Sequence, residues 1–365
     1  MKRVLLFGGS FDPIHNAHLK LTEEAYKTLK TEQCYFILAK NPRWKTPSST
    51  GEQRLEMLKL ALEDYPEFAI SLIEYASNKE VTYTYETIME MGNFSECEYF
   101  YLIGSDQLDL LDKWYKIDEL ASLVHFVVFK RFNYPINEEN LKKYHCQLLN
   151  NDELDISSTQ IRLLKDVNSP KKVLDYIAKN DLYYFQELKK YISEERLEHC
   201  KSVASLAFDL AKSNSINPYK AYQAGLLHDI AKGISPSNSE MMMEKYFPDE
   251  KELVGHWAYH QFLGAKIAKE KFQITDQEIL DSIMFHATGS KNMSKLSKII
   301  YCADKLDPHR GWDSTELISL CLKDIDEAFP IVLLDNIKYF RSHNTKYDNY
   351  FTMRCFAEYL KKGEY

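Results

Sequence analysis

The sequence predicts a two-domain protein, an α/β Rossmann-like domain followed by an all-α domain, and three observations carry that prediction. The chain has 365 residues, which at roughly 150 residues per domain calls for two cores. Short β-rich runs alternate with amphipathic stretches through the first third, then the apolar period becomes 3.6 and stays so to the C-terminus. Glycine and proline number only 12 and 11, about half the usual share, as long helices with short connections require.

Taken in order, Val4–Phe7, Tyr35–Ala39, Phe68–Ile73, Tyr99–Ile103 and Val124–Phe129 read as strands. Leu19–Leu29, Glu52–Leu62, Thr84–Met91 and Ile117–Leu123 read as the helices between them. This alternation implies a mostly parallel sheet covered on both faces. No strand is expected after Ile156; Gln186–Tyr191, Glu195–Ser213, Tyr219–Ala231, Trp257–Lys271, Asp276–His286, Ser294–Leu306, Thr315–Ala328 and Val332–His343 all carry the helical period. The boundary is expected near Tyr183-Tyr184, giving domains 1–184 and 185–365 without a Gly/Ser linker or an internal repeat.

Composition narrows the function. Lys and Arg total 46 against 54 Asp and Glu, a net charge of −8 in a chain that is 45% hydrophobic, the profile of a soluble globular protein. The acidic balance argues against a polynucleotide partner and leaves small anionic ligands. No apolar run approaches the roughly 18 residues of a membrane span, and Met1-Lys2-Arg3 leads straight into the first strand, so neither a membrane partner nor a signal peptide is expected. Seven scattered cysteines without a C-x-x-C pair suggest no disulfide framework and no thiolate zinc site, and fit a reducing cytoplasm. Homo-oligomerisation stays open.

The first strand runs into Gly8-Gly9-Ser10-Phe11-Asp12-Pro13-Ile14-His15-Asn16-Ala17-His18. Two glycines leaving a parallel strand let backbone approach a ligand, and the following helix start offers amides and its positive dipole end to phosphate. His15 and His18 can donate to phosphate oxygens. Later, Ile156-Ser157-Ser158-Thr159-Gln160-Ile161-Arg162 places hydroxyls at a helix start with an arginine one turn in, a second anion site.

These stretches, with Gln53-Arg54-Leu55-Glu56-Met57-Leu58, Tyr83-Thr84-Tyr85-Glu86-Thr87, Ile103-Gly104-Ser105-Asp106 and Lys113-Trp114-Tyr115-Lys116, resemble the bacterial nicotinate-mononucleotide adenylyltransferases of the nucleotidyltransferase superfamily. The resemblance covers about half the chain. It implies ATP and nicotinate mononucleotide as substrates with Mg2+, phosphate binding by His15, His18, Ser157, Ser158, Thr159 and Arg162, and stacking of Trp114 on the pyridine ring. Gly8, Gly9, Ser10, Thr84 and Asp106 belong to the same expected site, although Asp106 beside a strand end also suits a helix cap. Ala17 and Ser10 replace the usual Gly and Thr, and Trp44 stands where the family has His beside the matching Lys45. Transfer itself needs no enzyme nucleophile, only alignment of two polyanions and neutralisation of developing charge.

Seven of the eleven histidines lie after residue 185. His199, His228-Asp229, His260, His286 and Asp304 each fall on the apolar side of an expected helix. Several buried imidazoles and carboxylates on separate helices need partners, and a shared metal supplies one. The set resembles the H…HD…D pattern of HD-domain phosphohydrolases, and its flanks resemble the bacterial HD family that splits diadenosine tetraphosphate into two ADP. That resemblance implies a dinucleoside polyphosphate substrate and two metal ions bridged by Asp229. Imidazole and carboxylate ligation favours iron first and manganese second. Lys232 and Arg310 are cations placed to meet phosphate. His256, one turn before His260, is the alternative ligand. Other phosphate-bearing acceptors for the first domain, and other nucleotides or a nonhydrolytic sensing role for the second, are the competing readings.

Overall fold

The computed structural model describes residues 1–40, 46–79 and 81–365, and its backbone divides into two compact units. The first comprises Met1–Arg162 and Asn168–Tyr183, the second Leu163–Val167 and Tyr184–Tyr365. The crossing between Tyr183 and Tyr184 is therefore joined by an earlier excursion of five residues.

Unit one is built on six parallel strands, β1 (Lys2–Gly9), β2 (Gln33–Leu38), β3 (Phe68–Ser71), β4 (Cys97–Gly104), β5 (Val124–Phe129) and β6 (Gln147–Leu148), in the order β3-β2-β1-β4-β5-β6. Val4–Phe7 and Tyr99–Gly104 are buried without alternation, as strands covered on both faces must be. Successive strands are added on one side of β1 up to β3 and on its other side from β4 onward, and open α/β sheets bind ligands outside the carboxyl ends of strands at such a switch. Helices Thr84–Met91 and Ile117–Leu123 have the bounds expected from the sequence. The third strand stops at Ser71, because Ile73–Ala76 turns helical, and the two-residue β6 was not anticipated: both its residues are exposed, so it lacks an apolar signature.

Unit two is helical throughout its described residues. Its core includes Leu197, Val203 and Ala207 of Glu194–Ser213 together with Leu226, Ile283, Ile300 and Leu333, all fully buried. Three expected boundaries are corrected. Pro218–Leu227 ends before the His228-Asp229 doublet, and Gln277–Met284 ends before His286, so these groups sit in turns just past helix C-termini rather than on helix faces. Gln186–Tyr191 shrinks to Phe185–Leu188. The break expected between Ala328 and Val332 falls instead at Asp324, whose side chain accepts from Asp326 N and Glu327 N and caps a helix Ile325–Ser342 that continues through Pro330. No helix among the described residues is long and apolar enough to cross a membrane.

Candidate functional site

In unit one a cavity of about 300 Å³ opens where β1 and β4 end, lined among others by Gly8, Gly9, Ser10, His15, His18, Asp106, Trp114, Ser157, Ser158, Thr159 and Arg162. Thirteen positions were expected to form this site; eleven meet here, and the exceptions are Thr84 and Lys45. Thr84 is not on the wall but hydrogen-bonds the buried Tyr101, which is on it. Lys45 lies outside the described residues. A Cβ on Gly8 would collide with the Tyr101 hydroxyl, so only glycine permits that approach.

The two imidazoles stack, centroids 3.6 Å apart and 19° from parallel. Burial and the neighbouring His18 hold the pKa of His15 well below 6.5, so it is neutral at physiological pH. The backbone amide of His15 donates to His18 Nδ1 at 3.3 Å, which makes Nδ1 an acceptor and leaves Nε2–H as the donor. Arg162 fixes the loop opposite, donating to the Asp12 carbonyl at 2.6 Å and to Thr159 Oγ1 at 3.0 Å. Ser158 Oγ donates to the Pro13 carbonyl at 2.9 Å. Asp106 is not a cap: Gly104 occupies that position, and the carboxylate pairs with Arg131 at 2.8 Å. Trp114 stands edge-on to Tyr101 and Phe126.

Two arginines of this site escaped the sequence reading of individual roles. Arg131 lines the cavity two residues past β5, at the strand end where parallel sheets bind ligands, a signal that was available. Arg54, 2% exposed, donates to the carbonyls of Ser10 (3.0 Å), Ala39 (2.6 Å) and Lys40 (2.9 Å) and so braces the glycine loop from beneath.

In unit two His199, His228, Asp229, His260, His286 and Asp304 converge. Asp229 Oδ1 lies 3.3 Å from both His260 Nε2 and His286 Nε2, while its Oδ2 faces His228 Nε2 (3.6 Å) and His199 Nε2 (4.0 Å). Asp304 Oδ1 is 3.2 Å from His199 Nε2 and 3.7 Å from His228 Nε2. Two ligand sets, His199/His228/Asp304 and His228/Asp229/His286, each bring their donor atoms within 4.8 Å of one another. His256 stays outside, exposed and 3.3 Å from Glu240.

The cluster fits a cation on its own chemistry. His199 Nε2 and His228 Nε2 are buried without a hydrogen-bond partner, and imidazole nitrogens are seldom left so unless they ligate. Burial, partly offset by Asp229, lowers the pKa of His228 to about 4, which keeps its lone pair available. Burial also opposes the charge of His199, but Asp304 and Asp307 outweigh it and raise that pKa to about 9. A cavity of about 230 Å³ beside the cluster is lined by Lys232, Lys305, Arg196 and Arg310. Arg310 donates to Asp304 Oδ1 at 2.6 Å, Lys305 to Oδ2 at 2.6 Å and Arg196 to Asp229 Oδ2 at 2.9 Å. Lys232 has no ion-pair partner among the described residues and faces the opening; burial lowers its pKa. Arg196, one turn before His199, and Asp307, one turn after Asp304, were missed because neither belongs to the H…HD…D pattern.

A parallel sheet with a phosphate-type crevice and a helical His/Asp cluster define a two-domain nucleotide enzyme. A cytidylyltransferase-like family model matches residues 6–164 and an HD domain model residues 196–309, the latter implying a divalent metal. A Mycoplasma pneumoniae protein described as a probable nicotinate-nucleotide adenylyltransferase/Ap4A hydrolase is 33% identical over 352 residues, covering 93% of this chain and 99% of the relative. A Mycoplasma genitalium protein of the same description is 32% identical over 356 residues, covering 91% and 97%. A Clostridium botulinum protein described as a probable nicotinate-nucleotide adenylyltransferase is 37% identical over 196 residues, 49% of this chain and 97% of its own. The chain belongs to the family of nicotinate-nucleotide adenylyltransferase/Ap4A hydrolases.

Proposed function

We propose that residues 1–184 transfer the adenylyl group of ATP to nicotinate mononucleotide, and that residues 185–365 hydrolyse diadenosine tetraphosphate to two ADP. The relatives that match nearly the whole chain carry names joining the two activities. The seven free thiols suit a reducing cytoplasm.

In the transfer, a phosphate oxygen of the mononucleotide forms a bond to the α-phosphorus of ATP as the bond to the α–β bridging oxygen breaks, and pyrophosphate leaves. The protein orients both anions and meets the departing charge. Gly8 and Gly9 admit the phosphates to the backbone, Ser10 lines their path, and His18 Nε2–H donates to the leaving oxygens beside neutral His15. Ser157, Ser158, Thr159 and Arg162 hold the distal phosphates. Asp106, fixed by Arg131, faces the nucleotide, Trp114 stacks on the pyridine, and Thr84 acts at one remove through Tyr101. Lys45 is assigned to ATP on its sequence match alone. Mg2+ travels with ATP, held mainly by phosphate and water.

The observation that carries the hydrolytic reading is the double orientation of Asp229, one oxygen toward His260 and His286 and the other toward His199 and His228. With Asp304 these residues would hold two divalent ions, iron first and manganese second. Bound there, such ions supply an activated water and neutralise phosphoryl charge. Lys232 and Arg310 bind the polyphosphate and stabilise the ADP that leaves. Product chromatography tests both halves: nicotinate adenine dinucleotide plus pyrophosphate from the first, ADP alone from diadenosine tetraphosphate in the second. ATP plus AMP would place the attack on a different phosphorus, and activity with another acceptor alone would overturn the nicotinate assignment.

A further inference from the structure

Three of the four imidazoles in the cluster are held at Nδ1 by a neutral backbone carbonyl three residues earlier: His228 by Gly225 (2.7 Å), His260 by Trp257 (3.0 Å) and His286 by Ile283 (2.7 Å). His199 is different. Its Nδ1 lies 2.5 Å from Asp307 Oδ2, and Asp307 is only 1% exposed. The other carboxylate oxygen accepts from Ser202 Oγ at 2.6 Å and from the His309 amide at 3.1 Å, with the His309 ring 3.3 Å away. Ser202 shares the helix Glu194–Ser213 with His199, while Asp307 follows the helix Lys295–Lys305 that carries Asp304. Two helices thus clamp the carboxylate, and it cannot rotate off the imidazole without breaking the Ser202 bond as well.

The difference matters because the two faces of Asp229 have unlike surroundings. On the His199 side, Arg196, Lys305 and Arg310 all bond to Asp229 Oδ2 or to Asp304, and their charge opposes a further cation. A buried anion behind His199 offsets them and makes Nε2 a stronger donor. On the His260 and His286 side the Nδ1 atoms meet backbone carbonyls, and among the described residues no carboxylate corresponds to Asp307 there. We propose that Asp307 is a positioning residue that sets the ion affinity of the His199/Asp304 position alone, so the two cation positions are chemically unequal. This rests on the two-ion reading above.

The test is calorimetric titration of Mn2+ into the chelator-stripped full chain. Wild type is expected to bind two ions in two classes, with His260→Ala removing one. Asp307→Asn should weaken the other class about 10- to 100-fold, a typical effect of losing a ligand's outer partner, and leave the first within about twofold. Ser202→Ala, which removes one of the hydrogen bonds to Asp307 together with the Ser202 contact to His309 Nδ1, should shift the same class in the same direction by less. Circular dichroism and cooperative thermal unfolding report that each variant is folded; if Asp307→Asn is not, Ser202→Ala decides. Equal weakening of both classes, or of neither, overturns the inference and leaves the two-ion reading standing. A wild type that binds one ion overturns both.

Discussion

Asp229 presents one oxygen to each side of the His/Asp cluster, so truncating it withdraws negative charge from every ligand pair at once. Asp229→Ala should lower diadenosine tetraphosphate hydrolysis by about 10³-fold or more and lower the bound-metal content, while adenylyl transfer stays within about twofold; retained metal with retained hydrolysis would remove Asp229 from the reaction. In the other unit, His18 should stabilise departing charge more than bound ATP. His18→Ala should then cut kcat by about 10²-fold, whereas an unchanged kcat with a raised KM would make it a ground-state contact. His199 supplies a pH dependence. Its pKa of about 9 in the metal-free fold lies above the ordinary 6.5, so its contribution to stability is complete below about pH 6.5 and disappears as pH rises through about 9. An ion must displace that proton. Mn2+ affinity should therefore rise with pH over the same interval, seen as proton release in buffers of different ionisation enthalpy.

Among the elements, Glu194–Ser213 and Pro218–Leu227 approach most closely at Gly225, where a Cβ would lie 2.7 Å from the Ala204 Cα. Gly225→Ala gains about 1 kcal/mol of helix propensity but forces two backbones apart, an overpacking cost of about 1–3 kcal/mol. Net destabilisation in urea unfolding is expected, with weaker metal binding because the Gly225 carbonyl holds His228 Nδ1. The strands from Val4 to Phe129 were legible because burial on both faces leaves uninterrupted apolar runs. The ends of the ligand-bearing helices were not: Ala231 and Ile230 continue the apolar stripe past Leu227, yet the chain leaves the helix so that His228 and Asp229 can face the cluster. The helix expected to stop at Ala328 instead runs on through Pro330, its sixth residue, giving up one backbone hydrogen bond there, and the capping Asp324 decides its start. Site residues carried by a motif could be placed from sequence, and Arg131 could have been placed from its position just past β5, whereas Arg54, Arg196 and Asp307 act through partners far away in the chain, which no local pattern encodes.

At the scale of the molecule, residues 1–184 contain every segment of unit one, and this fragment should make nicotinate adenine dinucleotide by itself. A folded fragment that releases no pyrophosphate would break the assignment. A cut at residue 185 is less kind to unit two, because it discards Leu163–Val167. Gln223, nearly buried, donates to the Leu164 carbonyl at 2.7 Å. A chain beginning at 163 should therefore melt at a higher temperature than one beginning at 185, by the equivalent of about 1–3 kcal/mol for one buried amide.

The same five residues impose an order in time on a nascent chain. Leu164 leaves the ribosome 59 residues before Gln223, an interval of roughly 3–12 s at about 5–20 residues per second. During that interval unit one can gather in Asn168–Tyr183 and finish folding, while a short loop of apolar chain waits for helices not yet synthesised. The transferase half is thus set to mature first, and the hydrolase half must recover a segment of itself that was translated before the rest of it began.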